Sequence, residues 1–252
     1  MNDPYLYAES SVLRNLLDIR DGKELEFAEA ELSRARMMLL YEAGFDDFST
    51  NGIKKIHKAL FGEIYDWAGE FRIINIRKRE KVLAGKSVWY ANDEDIERDI
   101  EAGWTKINNV SWAQQEREEF AKKLARTFPL LWQAHPFRDG NTRTIVMLMT
   151  FFVEHHGFHV DQELLTASAG YVRDSFVMAS LGDFSEYEHL EKILIDAISD
   201  KPIPLTDNLD EAVATERSAK YEQYKTEDYE PTAHEYRPDD EKRDNYNNRS
   251  GD

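Results

Sequence analysis

His135-Pro136-Phe137-Arg138-Asp139-Gly140-Asn141-Thr142-Arg143 is the stretch around which the chain is organised. It sets a base, a carboxylate, a glycine turn, an amide and a guanidinium within nine residues. Pro136 disfavours helical geometry in the residue before it, so His135 is expected to be extended. Gly140 permits a left-handed or very tight backbone, and Asn141 and Thr142 are good residues for opening a helix. Ile145, Leu148, Met149 and Phe152 then follow the i, i+3, i+4, i+7 pattern of a helix with an apolar stripe. The first-turn N–H groups and dipole of that helix face the loop, a seat for an anion such as phosphate. Arg143 adds a planar donor fork. Asp139 is a hard oxygen ligand of the kind Mg²⁺ takes alongside phosphates, and His135 can accept a proton near neutral pH. Singly these are ordinary surface residues; their density and order mark a candidate site.

Working outward, helical patterns surround the loop. Leu25, Ala28, Leu32, Ala35 and Leu39 predict a helix over residues 23–43, ended by Gly44. Ile53, Ile56, Leu60, Ile64 and Trp67 predict a second from about Ser49 to Gly69, with His57 beside the stripe as a structural or surface histidine. The period then changes: residues 71–78 and 82–90 are rich in Ile, Val, Trp and Tyr and read as a β-hairpin, which needs something to pack on. Ile96, Ile100, Trp104 and Ile107 form another stripe. Ser111 to Gln114 reads as a capping box for a helix carrying Phe120, Leu124, Phe128 and Leu131, kinked at Pro129 and delivering the chain to His135. His155, His156 and His159 suit a helix C-terminus better than a metal site. Two further helices, about 166–181 and 185–199, precede a break at Lys201-Pro202-Ile203-Pro204.

The net charge of −17 argues against a general nucleic-acid binder. The apolar runs fall far short of the ~20 residues of a membrane span. With no cysteine there are no disulfides and no thiolate sites, which is compatible with the cytoplasm; Asn2 and Asp3 follow Met1 with no signal-like segment. Residues 207–252 carry 14 acidic and 7 basic side chains, and from Thr226 onward little periodicity, the composition of a disordered tail.

The loop resembles the signature of Fic-domain proteins, H-P-F-x-(D/E)-G-N-(G or a substitute)-R, and Trp67-Ala68-Gly69-Glu70-Phe71-Arg72 resembles the W-A-G-x-x-R segment leading into the family's flap. The resemblance, which spans most of residues 5–200, implies an all-α helical bundle with a small β-hairpin flap at 71–90 that captures a target protein by strand addition. It implies AMP transfer from ATP to a protein hydroxyl, with His135 as base and Asp139 holding Mg²⁺. Arg138, Gly140, Asn141, Thr142 and Arg143 would bind the nucleotide, and Phe137 would anchor the loop. Ser218 to Glu222 is similar to the S-x-x-x-E inhibitory helix that one class carries C-terminally, here over residues 201–225, although a solvated helix also fits. Two positions depart from the pattern. Thr142 stands where the family most often has Gly. Val146 stands where many members have a second Arg, which leaves inhibition by Glu222 or a role in removing AMP open. Protein phosphorylation and a silent strand-capturing module are the alternatives, and oligomeric state is left open.

Overall fold

The computed structural model describes residues 3–202 and 219–221. Helix α1 (Gly22–Ala43) begins where the Asp21 carboxylate accepts from the N–H groups of Lys23 and Glu24, and ends at Gly44, φ 74°. The Ser49 hydroxyl caps α2 (Thr50–Phe61) at the N–H of Gly52, and Ile53, Ile56, Leu60 and Phe61 bury one face. This helix stops short of the expected Trp67. Ile64 and Tyr65 stay in the core through tight turns, both donating their N–H to the Phe61 carbonyl.

Helices α3 (Ile96–Asn108) and α4 (Arg117–Ala134) pack together. The capping box expected at Ser111 does not form: α4 begins after Glu116, and Gln114 takes φ 54°. Trp112 fixes that turn instead, donating to the Ile107 carbonyl at 2.8 Å and packing on Phe120 and Phe152. Helix α5 (Asn141–His155) is central, with α2 and α4 against it and Ile145 and Leu148 fully buried. His156, just past its end, bonds through Nδ1 with the Phe152 carbonyl at 2.8 Å, and His155 lies edge-on to Phe48. Beyond it come α6 (Gln162–Ala167), α7 (Ala169–Met178) and α8 (Glu188–Ala197), the last packed on α4. A two-stranded antiparallel sheet, β1 (His159–Val160) with β2 (Ile198–Ser199), ties the ends of α5 and α8.

The architecture is helical, as expected, but residues 71–90 build no strand ladder. The arms meet near the tip, where the Lys78 N–H donates to Ser87 Oγ at 3.3 Å; at the base the Arg72 guanidinium donates instead to the Ile74 carbonyl at 2.7 Å and to the Ala91 carbonyl. The arms are joined by one 3₁₀ turn, Lys81–Leu83, closed by Glu80 N–H on the Lys86 carbonyl at 2.9 Å. Alternation survives in the first arm: Ile74, Ile76, Lys78 and Glu80 turn inward, while Ile73, Asn75, Arg77 and Arg79 are exposed. Among the described residues no helix is long and apolar enough to cross a membrane.

Candidate active site

The signature loop bridges the C-terminus of α4 and the N-terminus of α5. His135 is not extended but left-handed, φ 46° and ψ 56°, as the C-cap of α4. Such backbone costs about 1–3 kcal/mol and needs surrounding structure to hold it. Here the His135 N–H donates to the Trp132 carbonyl at 3.0 Å, and its own carbonyl accepts Arg72 Nε at 2.9 Å. The Arg72 N–H reaches the Pro136 carbonyl at 2.8 Å. One buried arginine therefore ties the two ends of the 71–90 segment to the His135 backbone.

Phe137 is fully buried, and His57 stacks on it with ring centroids 3.7 Å apart. His57 Nδ1 accepts the Gly69 N–H at 2.9 Å. Its proton therefore sits on Nε2, which donates to the Asp139 carbonyl at 3.1 Å. Burial pushes this imidazole down to about 3, so it is neutral. His57 is thus structural and not a surface residue, and it holds the catalytic loop. Nothing in the local spacing connects position 57 with position 139.

Gly140, φ 76°, cannot be replaced freely, since a Cβ there would lie 2.5 Å from the Phe61 ring. The Asn141 amide closes the loop on itself, accepting the Phe137 N–H at 2.9 Å and donating to the Phe137 carbonyl at 2.8 Å. Thr142 Oγ1 accepts Trp132 Nε1 at 2.9 Å. Both side chains are thus turned to the protein, not to a ligand. What α5 presents are the N–H groups of Asn141, Thr142 and Arg143, which meet no protein acceptor among the described residues.

The two guanidiniums expected at a phosphate are held by carboxylates from earlier in the chain. Arg138 makes a two-pronged pair with Asp3, at 2.9 and 2.8 Å. Arg143 donates to Ser33 Oγ at 2.8 Å and to Glu29 of α1, over the Phe61 ring; Glu29 also accepts the Tyr65 hydroxyl. Asp3, Glu29 and Ser33 have no motif around them and were invisible to sequence reasoning.

Asp139 and His135 sit four residues apart on one loop, and both feel the Lys78 charge. The Asp139 side chain is 40% exposed, and Lys78 Nζ lies 3.7 Å from its Oδ1. Burial works to raise its pKa, but the Lys78 charge, the Gly140 N–H at 2.7 Å and Arg143 together hold it below the usual carboxylate range. The His135 ring is buried, stacked on Tyr90 at 4.0 Å and edge-on to Trp132 at 5.1 Å. Burial, then the charges of Lys78 and Arg72, push its pKa well below the ordinary value. Neither ring nitrogen has a hydrogen-bond partner. The result is a neutral imidazole with an unclaimed lone pair and, on the same loop, an ionised carboxylate, with Lys78 acting on both. Tyr90 is strapped over it by Glu80, a buried carboxylate paired with Arg173 of α7.

No cluster of three or more His, Asp or Glu among the described residues can cage a metal. A single ionised, half-exposed Asp139 fits instead a divalent ion whose other ligands are phosphate oxygens and water. Ser218 and Glu222 lie outside the described residues. Their neighbour Tyr221 is docked on Asp196 and beside Tyr171. A cavity of about 400 Å³ lined by Arg117, Asp161 and Asp196 lies at the other end of the 18-residue α4, about 27 Å from His135, and takes no part in the site.

Residues 47–153 match the Fic/DOC family, an interval that contains His57, the flap and the whole loop. Over that interval the chain is similar to Fic/DOC-family domains. The chain is 31% identical over 188 residues to protein adenylyltransferase VbhT of Bartonella schoenbuchensis, covering 71% of this chain but only 38% of that protein. It is 29% identical to probable protein adenylyltransferase y4lH of Sinorhizobium fredii, over 66% of this chain and 82% of the relative. Among solved structures, the BepC protein of Bartonella tribocorum with bound AMPPNP superposes with a TM-score of 0.67 at 20% identity, covering 79% of this chain and 97% of that one. At that identity the likeness supports the Fic fold alone.

Proposed function

We propose that this protein transfers AMP from ATP to a Ser, Thr or Tyr hydroxyl of another protein. The observation that carries the reading is one nine-residue loop that holds a neutral, unpartnered His135 imidazole and an ionised Asp139 and runs into the open N–H groups of the α5 first turn. The names of the two adenylyltransferase relatives support it.

In this reading the backbone N–H groups of Asn141, Thr142 and Arg143 receive the phosphates, and Arg138 and Arg143 turn to them from Asp3 and Glu29. Asp139 would hold Mg²⁺, which when bound supplies neutralising charge to the triphosphate. The acceptor oxygen attacks the α-phosphorus, its proton passes to a ring nitrogen of His135, and the bond to the leaving pyrophosphate breaks. Donors fixed in advance where charge develops are the larger contribution, and the base adds about 10²–10⁴-fold. The flap offers its edge to the target: among the described residues the N–H groups of Ile74 to Arg77 donate to no protein acceptor, so an extended segment can add there as a strand. We read it as working in the cytoplasm, where ATP is supplied.

The test is labelling with ATP carrying the label at the α- or the γ-phosphate. Transfer of the α-label alone is expected. His135→Ala should abolish it while ATP binding persists; γ-label transfer, or parental labelling by the variant, overturns the reading. Glu222 is proposed to restrain the site, and a Glu222→Gly chain should then label faster; equal labelling rejects the restraint. Against it stands Tyr221, anchored on Asp196 at the end of α4 remote from the loop.

A further inference from the structure

The flap carries charge of the wrong sign for the rest of the molecule. Residues 77–86 hold five basic side chains and one acidic, a net of +4 on a chain of −17. The one acid, Glu80, is buried and spent on Arg173 and Tyr90. Lys78 turns inward to Asp139. Arg77, Arg79, Lys81 and Lys86 are exposed, and none makes an ion pair within 4 Å among the described residues. Arg77 rests over the Trp89 ring and Lys81 feels Asp174 of α7, but no carboxylate closes on either. Ile73, 69% exposed, continues the outward row at its other end.

That row coincides with the edge whose backbone donors are open. Ile73, Asn75, Arg77 and Arg79 project from one side of the extended arm, while the N–H groups of Ile74 to Arg77 are unpaired. A strand added here meets an apolar contact at Ile73 and, two and three alternate positions further on, two guanidiniums. Cross-strand partners of guanidiniums are carboxylates. The net charge of the whole chain is −17, so the +4 of residues 77–86 is the stretch to which an acidic segment is steered.

We infer that the flap selects an extended segment of the target protein bearing Asp or Glu beside the acceptor hydroxyl. This rests on the transferase reading, and names the class of segment that reading leaves open.

The test uses the full chain and two fluorescein-labelled 12-residue peptides, each with one central Tyr, one flanked by Glu and the other by Lys, read by anisotropy without nucleotide. The acidic peptide should bind at least tenfold tighter, with the difference shrinking at high salt. Arg77→Glu/Arg79→Glu should abolish or reverse the preference while leaving binding of a fluorescent ATP analogue unchanged. Equal binding of the two peptides, or a preference that survives the double reversal, overturns the inference. Displacement of the acidic peptide by an equimolar peptide of residues 226–252 also overturns it, since the row would then serve the chain's own tail. Charge-selective binding without α-label transfer would sink the transferase reading alone, and transfer without charge selection the inference alone.

Discussion

Replacing Arg72 by Met should loosen the flap and the base together. The guanidinium is 2% exposed and serves the carbonyls of His135, Ile74 and Ala91, with no carboxylate in contact; burial accordingly lowers its pKa. Methionine keeps most of the stem volume and removes every donor. A buried acceptor left unsatisfied costs about 1–3 kcal/mol. The flap carbonyls can turn to water, so the His135 carbonyl dominates, and relief from burying an unpaired cation offsets part of the loss. A net loss of about 2 kcal/mol is expected, which for some 200 ordered residues lowers Tm by about 4–8 °C. The larger effect is local. With both arms released, proteolysis within residues 73–90 should accelerate, and His135 should relax from its left-handed conformation, reducing kcat for AMP transfer at least about tenfold while ATP binding is retained. Arg72→Lys keeps the charge but cannot span both arms, and should resemble Met. Differential scanning calorimetry, limited proteolysis and α-label incorporation read the three effects. A Met variant within a degree of the parent, cut no faster in the flap, or a fully active Lys variant, refutes the role assigned to this arginine.

Three further outcomes follow from the buried imidazoles and the arginine pair. Because the His135 pKa is depressed, the acid limb of AMP transfer should lie well below pH 6.5, with rates flat between about pH 6 and 8; an inflection at or above 6.5 contradicts its burial as base. Unfolded histidines take up protons below about 6.5 while His57 and His135 do not, so the unfolded state binds more protons and stability must fall as pH drops. For His57, pushed down to about 3, that is about 2 kcal/mol between pH 6.5 and 5, so the Tm of a His57→Gln chain should decline less steeply with acid than the parent's. Glu29→Gln removes a negative charge from Arg143 and should tighten ATP binding about three- to tenfold in a fluorescence titration; weaker binding would show that Glu29 orients the arginine for ATP rather than competing with it.

The sequence by itself determined the helical class, the order loop–central helix, and the place of the nine-residue candidate loop. Those features are local: the Ile145–Phe152 stripe, Gly140 at a positive φ and Phe137 inward are all legible from spacing and residue type. Periodicity failed where side chains from elsewhere intervene. The 71–90 segment has strand composition, yet its arms meet near the tip, and at the base the Arg72 guanidinium takes the Ile74 and Ala91 carbonyls. Pro136 made His135 read as extended, yet contacts from Trp132 and Arg72 hold it left-handed. Only the tertiary structure brought His57 to the Asp139 carbonyl, Asp3 to Arg138, Glu29 to Arg143 and Lys78 to Asp139. Contacts across 82, 135, 114 and 61 positions leave no periodic trace, because which surfaces meet is decided by how whole helices pack rather than by any window of neighbouring residues.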